Sequence, residues 1–376
     1  MLAHLEINLD HVAENIKTIR NIISGRAKIM AVVKANAYGH GMIEVSRVCE
    51  EAGIDFLGIT EVKEGILLRA AGIRIPILVM GFTEKKDIEN AIKENISLTV
   101  SNVYQAKLIF EEAKRIGGRA KVHLKVDTGM RRYGPIEINA LDFLKEIKKI
   151  PKIDIEGLYS HLADAENRDK SYTFKQLGTF QEIIADFKKE GFSAPFNHIA
   201  ASAAALSIPS SQIDMVRLGI VIYGLFPTPE LRSFFDLKPA LTYKTKIVEL
   251  KSLPGSQKIG YGGSHTTQNP SIIAVIPVGY ADGVDRGLSN LGKVIVRGQR
   301  ANIIGKVCMN SIILDVTNIE NVAMEDEVVI IGRQGNEEIT PGELAGYIGS
   351  INYEIVARLP EHLPRIYIRD GKKYKS

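Results

Sequence analysis

The feature that most constrains this chain is a regular alternation of short apolar runs with amphipathic segments, sustained from residue 8 to residue 235. The runs are "KIMAVVK", "DFLGIT", "IPILVMG", "ISLTVS", "KVHLKVD", "DIEGLYS", "FNHIA", "DMVRLG" and "VIYGLF". Each has the length of a strand, and the segments between them carry apolar residues at helical spacing. "DHVAENIKTIRNII" reads as a helix with Asp10 at its N-cap. "NRDKSYTFKQLGTFQEIIADFKKEG" reads as another, closed by Gly191. Strands that alternate with helices pair in parallel through right-handed crossovers. About eight such repeats over roughly 230 residues fit a (β/α)8 barrel better than an open doubly wound sheet. The expected first domain is therefore an α/β barrel over 8–235.

Beyond residue 236 the texture changes. "ALTYKTKIVELKSL", "SIIAVIPVGY", "KVIVRGQRANIIG", "SIILDV" and "EVVIIG" are β-rich and separated by Gly, Pro, Asn and Asp. A mainly β domain over 236–376 is expected. One helix, "TPGELAGYIGS", interrupts it, with Pro341 near the helix start. "HLEINL" at the beginning alternates as a further strand, open to either domain, with residues 1–7 assigned to the β domain.

Composition excludes several functions. The net charge of +4 comes from 48 basic and 44 acidic residues, with no long basic block, so neither nucleic acid nor a membrane surface is indicated as a partner. The N-terminus has no basic segment followed by an apolar one, and no run of about 18 apolar residues occurs, which predicts a cytoplasmic protein. Cys49 and Cys308 form no disulfide framework and no zinc spacing, and no metal site is expected. Neither a complete Walker loop nor GxGxxG is present.

In a barrel of this type the active site lies at the C-terminal ends of the strands. The polar residues following the apolar runs are Lys34, Lys125, Asp127, Arg132, His161, Ser202, Arg217 and Tyr223. The set is rich in cations and short of carboxylates, which suits an anionic ligand such as a phosphate. Lys34 admits two readings. Desolvation over an apolar core lowers an amine's pKa and makes it a nucleophile toward carbonyls; a strand-end lysine also commonly snorkels to the rim. Ser202, at the start of "SAAALS", suits a helix N-cap and equally a phosphate donor.

The stretch "VVKANAYGHG" resembles the pyridoxal-phosphate attachment motif of the alanine racemases. "LKVDTGMRRYG", "SHLADAE", "HIAASAA", "VRLGIVIYG", "IGYGGSH", "PVGYADG", "GKVCMNS" and "SINYEI" follow in the order that family shows. The resemblance spans nearly the whole chain. It implies a pyridoxal 5′-phosphate-dependent isomerase that interconverts L- and D-alanine by two-base proton transfer at Cα, supplying D-alanine for peptidoglycan. It also implies a homodimer with active sites shared between subunits.

The resemblance assigns roles residue by residue. Lys34 forms the Schiff base with the cofactor and serves as one base; Tyr261 is the other, contributed by the neighbouring subunit. Arg217 meets the pyridine nitrogen, and His161 joins it in the network that tunes the tyrosine. Phosphate falls to Tyr38, Ser202, Tyr353 and the backbone N–H groups of Gly219 and Ile220. Arg132 lies near the substrate carboxylate and the cofactor's phenolic oxygen, and the backbone N–H of Met309, contributed by the partner subunit, meets the same carboxylate. Lys125 matches a lysine that many members carry as a carbamate. Tyr280 and Ile351 form the constriction that limits substrate size. Three departures stand out: Ala201 and Asn310 occupy positions usually Asn and Asp, and Arg131 replaces a small residue beside Arg132. Two rival functions remain. One is a racemase of serine or of broader range on the same fold. The other is a non-enzymatic pyridoxal-phosphate-binding protein, which would lack the β domain and Tyr261.

Overall fold

A computed structural model describes residues 1–375. The chain begins with strand β1 (Ala3–Asn8), whose last residue caps the helix that follows. Asn8 Oδ1 accepts from the His11 N–H at 3.1 Å, so Asn8 rather than Asp10 is the N-cap of Leu9–Ile22. Asp10 lies inside the first turn, and its carboxylate instead accepts from the Asp370 N–H at 3.1 Å.

Two compact units divide the chain. One comprises residues 12–37 and 42–238; the other comprises 1–11, 38–41 and the residues from 239 on. Strand β1 belongs to the second, where it pairs antiparallel with Leu241–Lys246 and parallel with Arg365–Arg369.

The first unit is a barrel of eight parallel strands: β2 (Lys28–Val32), β3 (Phe56–Ile59), β4 (Ile77–Val79), β5 (Ile96–Val100), β6 (Ala120–Lys125), β7 (Ile153–Tyr159), β8 (Phe196–His198) and β9 (Met215–Leu218). From β2 to β8 neighbours in sequence are neighbours in the sheet, and β2 also pairs with β9. Between β8 and β9 no ladder forms. The seam is carried by single backbone bonds, Asp214 N–H to Asn197 O at 3.1 Å and Arg217 N–H to Ala200 O at 3.0 Å. Met30, Phe56, Leu78 and Met215 pack together inside, all nearly inaccessible. Side chains alternate along a strand, so one layer further toward the strand ends the interior turns polar, with Lys125, Tyr159 and Arg217.

The ninth apolar run is not a strand. The first half of "VIYGLF" lies in a buried 3₁₀ turn, Ile220–Tyr223, ended by Gly224 at φ 76°. Burial on all sides makes a run apolar whatever its backbone does, so periodicity could not separate turn from strand. Tyr223 is structural: its hydroxyl donates to Val32 O at 3.0 Å.

The second unit is built on an eleven-stranded, mostly antiparallel sheet. "KVIVRGQRANIIG" folds as the hairpin Lys293–Val296 and Gln299–Ile304. Its two linking residues, Arg297 and Gly298, both have positive φ, the geometry of a two-residue turn that matches strand twist. Helix Pro341–Ile348 is capped by Thr340, whose hydroxyl accepts from the Glu343 N–H at 3.1 Å. No helix among the described residues is long and apolar enough to cross a membrane.

Candidate active site

Lys34 follows β2 directly, and the backbone after it is not a flexible loop. Ala35, Asn36, Ala37 and Tyr38 all sit at φ between 52° and 54°, one turn of left-handed helix made by non-glycine residues. Each such residue costs about 1–2 kcal/mol, so the turn must be held from outside. The Glu64 carboxylate does much of this. Its Oε1 accepts from the Ala35 N–H at 3.0 Å, and its Oε2 from Thr60 and Glu61 N–H at 2.7 and 3.0 Å. Asn36 Oδ1 accepts from the Met42 N–H at 2.7 Å, and the Ala37 N–H donates to Val33 O at 2.8 Å. Small side chains suit this turn because a left-handed backbone crowds Cβ.

Arg217, at the third position of β9, is the hub of the barrel mouth and is almost fully buried. Nη2 donates to Ser160 O at 2.8 Å, Ile199 O at 2.9 Å and His161 Nδ1 at 3.2 Å. Nη1 donates to His198 Nδ1 at 2.6 Å. The guanidinium lies over the Tyr159 ring, 5.4 Å from its centroid. A guanidinium only donates, so both histidines must present a bare nitrogen to it. They are neutral: burial first, and the Arg217 charge second, push His161 and His198 well below the usual histidine range. Burial lowers Arg217 itself to about 10, which leaves it charged at neutral pH.

Lys125 ends β6 and is buried, with its ammonium over the rings of Tyr159 at 5.0 Å and Tyr133 at 5.2 Å. Burial, with Arg217 and Arg132 beside it, lowers its amine to about 7. Lys34 is lowered too, by burial first and then by Arg132, with Glu64 opposing. Asp127, the nearby carboxylate, is occupied with the loop: it accepts from Gly129 N–H at 2.7 Å and Arg132 N–H at 3.0 Å. Among the described residues Lys34, Lys125 and the Arg132 guanidinium form no ion pair. Arg131 turns its charge toward Glu137, at 3.4 Å, and Asp127, at 3.9 Å.

Ser202 is not a cap. Helix Ser202–Ser207 has Ala201 at its N-cap, with no side-chain bond there. Ser202 Oγ instead accepts from the Gly219 N–H at 3.0 Å, which ties the turn before Ile220 to the helix start. A hydroxyl that accepts retains its own proton for donation. The Gly219 N–H is thereby engaged inside the protein. The barrel mouth thus offers a free amine, unpaired cations and a poised hydroxyl, a donor set that fits an anionic aldehyde cofactor.

The remaining candidates lie in the β unit. Tyr38 and Tyr353 stand with ring centroids 6.2 Å apart at 54°, and burial raises the Tyr38 phenol to about 12. Tyr261 occupies a glycine turn, Tyr261–Gly263, and is 72% exposed. The Tyr280 and Ala281 N–H groups donate to Cys308 O and Met309 O, both at 3.0 Å. Asn310 Nδ2 donates to Asp282 Oδ2 at 3.2 Å, a bond that an aspartate could not make. Ile351 is the exposed N-cap of Asn352–Ala357. Glu64, Tyr159, His123 and His198 join the site without being among the candidates that the sequence marks. Two of these follow the period-2 rule, since His123 and Tyr159 share a face with Lys125 and Gly157 respectively. Glu64 had no signal, because its partners are backbone groups.

The chain matches known proteins over nearly its whole length. The family model "Alanine racemase, N-terminal domain" matches residues 7–227, and "Alanine racemase, C-terminal domain" matches 240–367. The alanine racemase of Methanococcus maripaludis is 40% identical over 365 residues, 96% of this chain and 98% of that one. That of Halothermothrix orenii is 42% identical over 362 residues, 96% of each chain. Among solved structures, alanine racemase from Clostridium difficile superposes with a TM-score of 0.95 at 33% identity, covering 100% of this chain and 98% of that one. Alanine racemase from Bacillus anthracis with bound L-Ala-P gives 0.93 at 36% identity, covering 99% and 96%. The chain belongs to the alanine racemase family.

Proposed function

We propose that the chain is a cytoplasmic, homodimeric, pyridoxal 5′-phosphate-dependent alanine racemase that interconverts L- and D-alanine. The observation that carries this is the Lys34 amine: half-buried, lowered in pKa, held by a strained turn, and without a carboxylate partner among the described residues. Bound pyridoxal phosphate supplies the electron sink that acidifies the substrate's Cα–H.

The chain's own residues do the rest. Lys34 would hold the cofactor through its aldehyde, and its amine, once released by the incoming substrate amine, would take or return the proton on one face of Cα. Tyr261 of the partner subunit does so on the other, because one base alone returns a proton to the face it left. Arg217 can only donate, so an acceptor placed against it stays unprotonated. That limits electron withdrawal and favours prompt proton return over side reactions. Ser202 would donate a hydrogen bond from its hydroxyl to the phosphate, with the Ile220 and Gly219 backbone beside it and Tyr38 and Tyr353 as further donors. Arg132 and the backbone N–H of the partner subunit's Met309 receive the substrate carboxylate, and Tyr280 and Ile351 restrict its side chain. Lys125, neutral in part near pH 7, adds to dissolved carbon dioxide: a C–N bond forms, a proton leaves, and the resulting carbamate pairs with Arg132.

The test is direct. Purified protein with added cofactor should convert L-alanine to D-alanine, read by chiral chromatography, with L-serine and L-lysine far slower. Equal rates on serine would favour the broad-range reading. Cofactor binding without turnover of any amino acid would favour the non-enzymatic one.

A further inference from the structure

Behind Arg217 lies a second histidine that no step above uses. His198 Nδ1 accepts from Arg217 at 2.6 Å, so the single proton of the neutral ring resides on Nε2. That nitrogen lies 3.0 Å from His123 Nδ1, which must then accept, and the His123 proton is left on Nε2. His123 is wholly buried, and its Nε2 has no hydrogen-bond partner among the described residues.

Several features hold His123 in this pose. The ladder between β6 and β7 slips one residue between Val122 and His123, placing His123 opposite Gly157. A Cβ on Gly157 would collide with His123 Nδ1. Phe196 lies parallel to the His123 ring at 8°, and Phe56 meets it edge-on at 72°. His198 in turn lies flat on Tyr159, centroids 4.8 Å apart at 2°. A phenylalanine or leucine would fill this apolar layer equally well, but it would leave the buried His198 Nε2–H without its acceptor. What the imidazole adds beyond volume is that acceptor.

We propose that His123 is a positioning residue for catalysis, accepting the His198 proton so that His198 Nδ1 stays fixed and electron-rich against Arg217. The chain Arg217–His198–His123 runs in one direction, and each bond polarises the next. Arg217 is thereby held in one orientation at the barrel mouth. This inference rests on the racemase reading for its kinetic part only; the protonation pattern stands by itself.

The experiment uses the 15N-labelled holoenzyme. Long-range 1H–15N spectra at neutral pH should show both His123 and His198 as neutral rings protonated on Nε2. His123→Leu exchanges one stranded N–H for another, so it should fold with a melting temperature close to the parent's, yet lose about tenfold or more in kcat with KM little changed. His123→Asn, whose amide oxygen can replace Nδ1 as acceptor, should recover most of that rate. Gly157→Ala should resemble the leucine variant. His198 protonated on Nδ1 would overturn the proposal. So would a leucine variant with parental kcat, or leucine and asparagine variants impaired alike. If the leucine variant does not fold, packing rather than positioning explains the residue, and the proposal fails. A parent that shows the Nε2 pattern but no racemisation would refute the racemase reading instead.

Discussion

The Ala35 N–H and the Glu64 carboxylate are joined at 3.0 Å, one residue beyond the reactive lysine. This bond helps to hold four non-glycine residues in left-handed geometry. Glu64→Ala should therefore destabilise the protein by about 0.5–2 kcal/mol, the usual cost of losing a side chain that caps backbone N–H groups, and should weaken cofactor retention. Urea unfolding and cofactor titration check both. Ala35→Gly should do the opposite to stability, because glycine reaches positive φ without a Cβ clash: no loss, or a gain of up to about 1 kcal/mol. Equal destabilisation by both variants would show that the turn is not strained.

Lys125 sets a pH dependence of stability. Its folded pKa, about 7, lies below the ordinary lysine value of 10.5. Below 7 the folded and unfolded forms are both protonated and the slope is zero. Between 7 and 10.5 the unfolded chain binds the extra proton, so stability rises with pH, at most by about 1.4 kcal/mol per unit. Lys125→Met should flatten that rise in denaturant titrations run without bicarbonate. With bicarbonate, the parent's intact mass should increase by one carbon dioxide and the variant's should not.

Asn310→Asp should be harmful in this chain although aspartate is usual in the family. The amide donates to Asp282 at 3.2 Å, and a carboxylate there would set like charges side by side. Both groups are near the surface, so the cost is about 1 kcal/mol or less. The variant's melting temperature at neutral pH, compared with the parent's, checks the sign: the account predicts a lower value.

Tyr261→Phe should keep the cofactor and lose racemisation by about a hundredfold to ten-thousandfold, the usual worth of a positioned acid–base group. Mixed with inactive Lys34→Ala subunits, it should regain part of the activity through hybrid dimers. Parental turnover in the single variant would refute the two-base mechanism. No recovery despite subunit exchange would count against sharing.

The barrel was readable because its strands alternate with helices at a fixed rhythm, and Lys34, Lys125 and Arg217 were readable because they end strand-like runs. What escaped was set by tertiary contact. "VIYGLF" is apolar because it is buried, not because it is extended. Asn8 displaced Asp10 as cap since Asp10 is taken by a distant backbone turn. The left-handed path after Lys34 depends on Glu64, and the His198–His123 pair depends on a bulge and on Gly157, none of which a linear pattern displays.

Lys34 and Lys125 are both lysines of lowered pKa at the barrel mouth, and only one is assigned to the cofactor. Borohydride reduction of the holoenzyme followed by peptide mass mapping separates them. The account predicts a pyridoxyl label on Lys34 and none on Lys125, and the label on Lys125, or on any lysine other than Lys34, would contradict it.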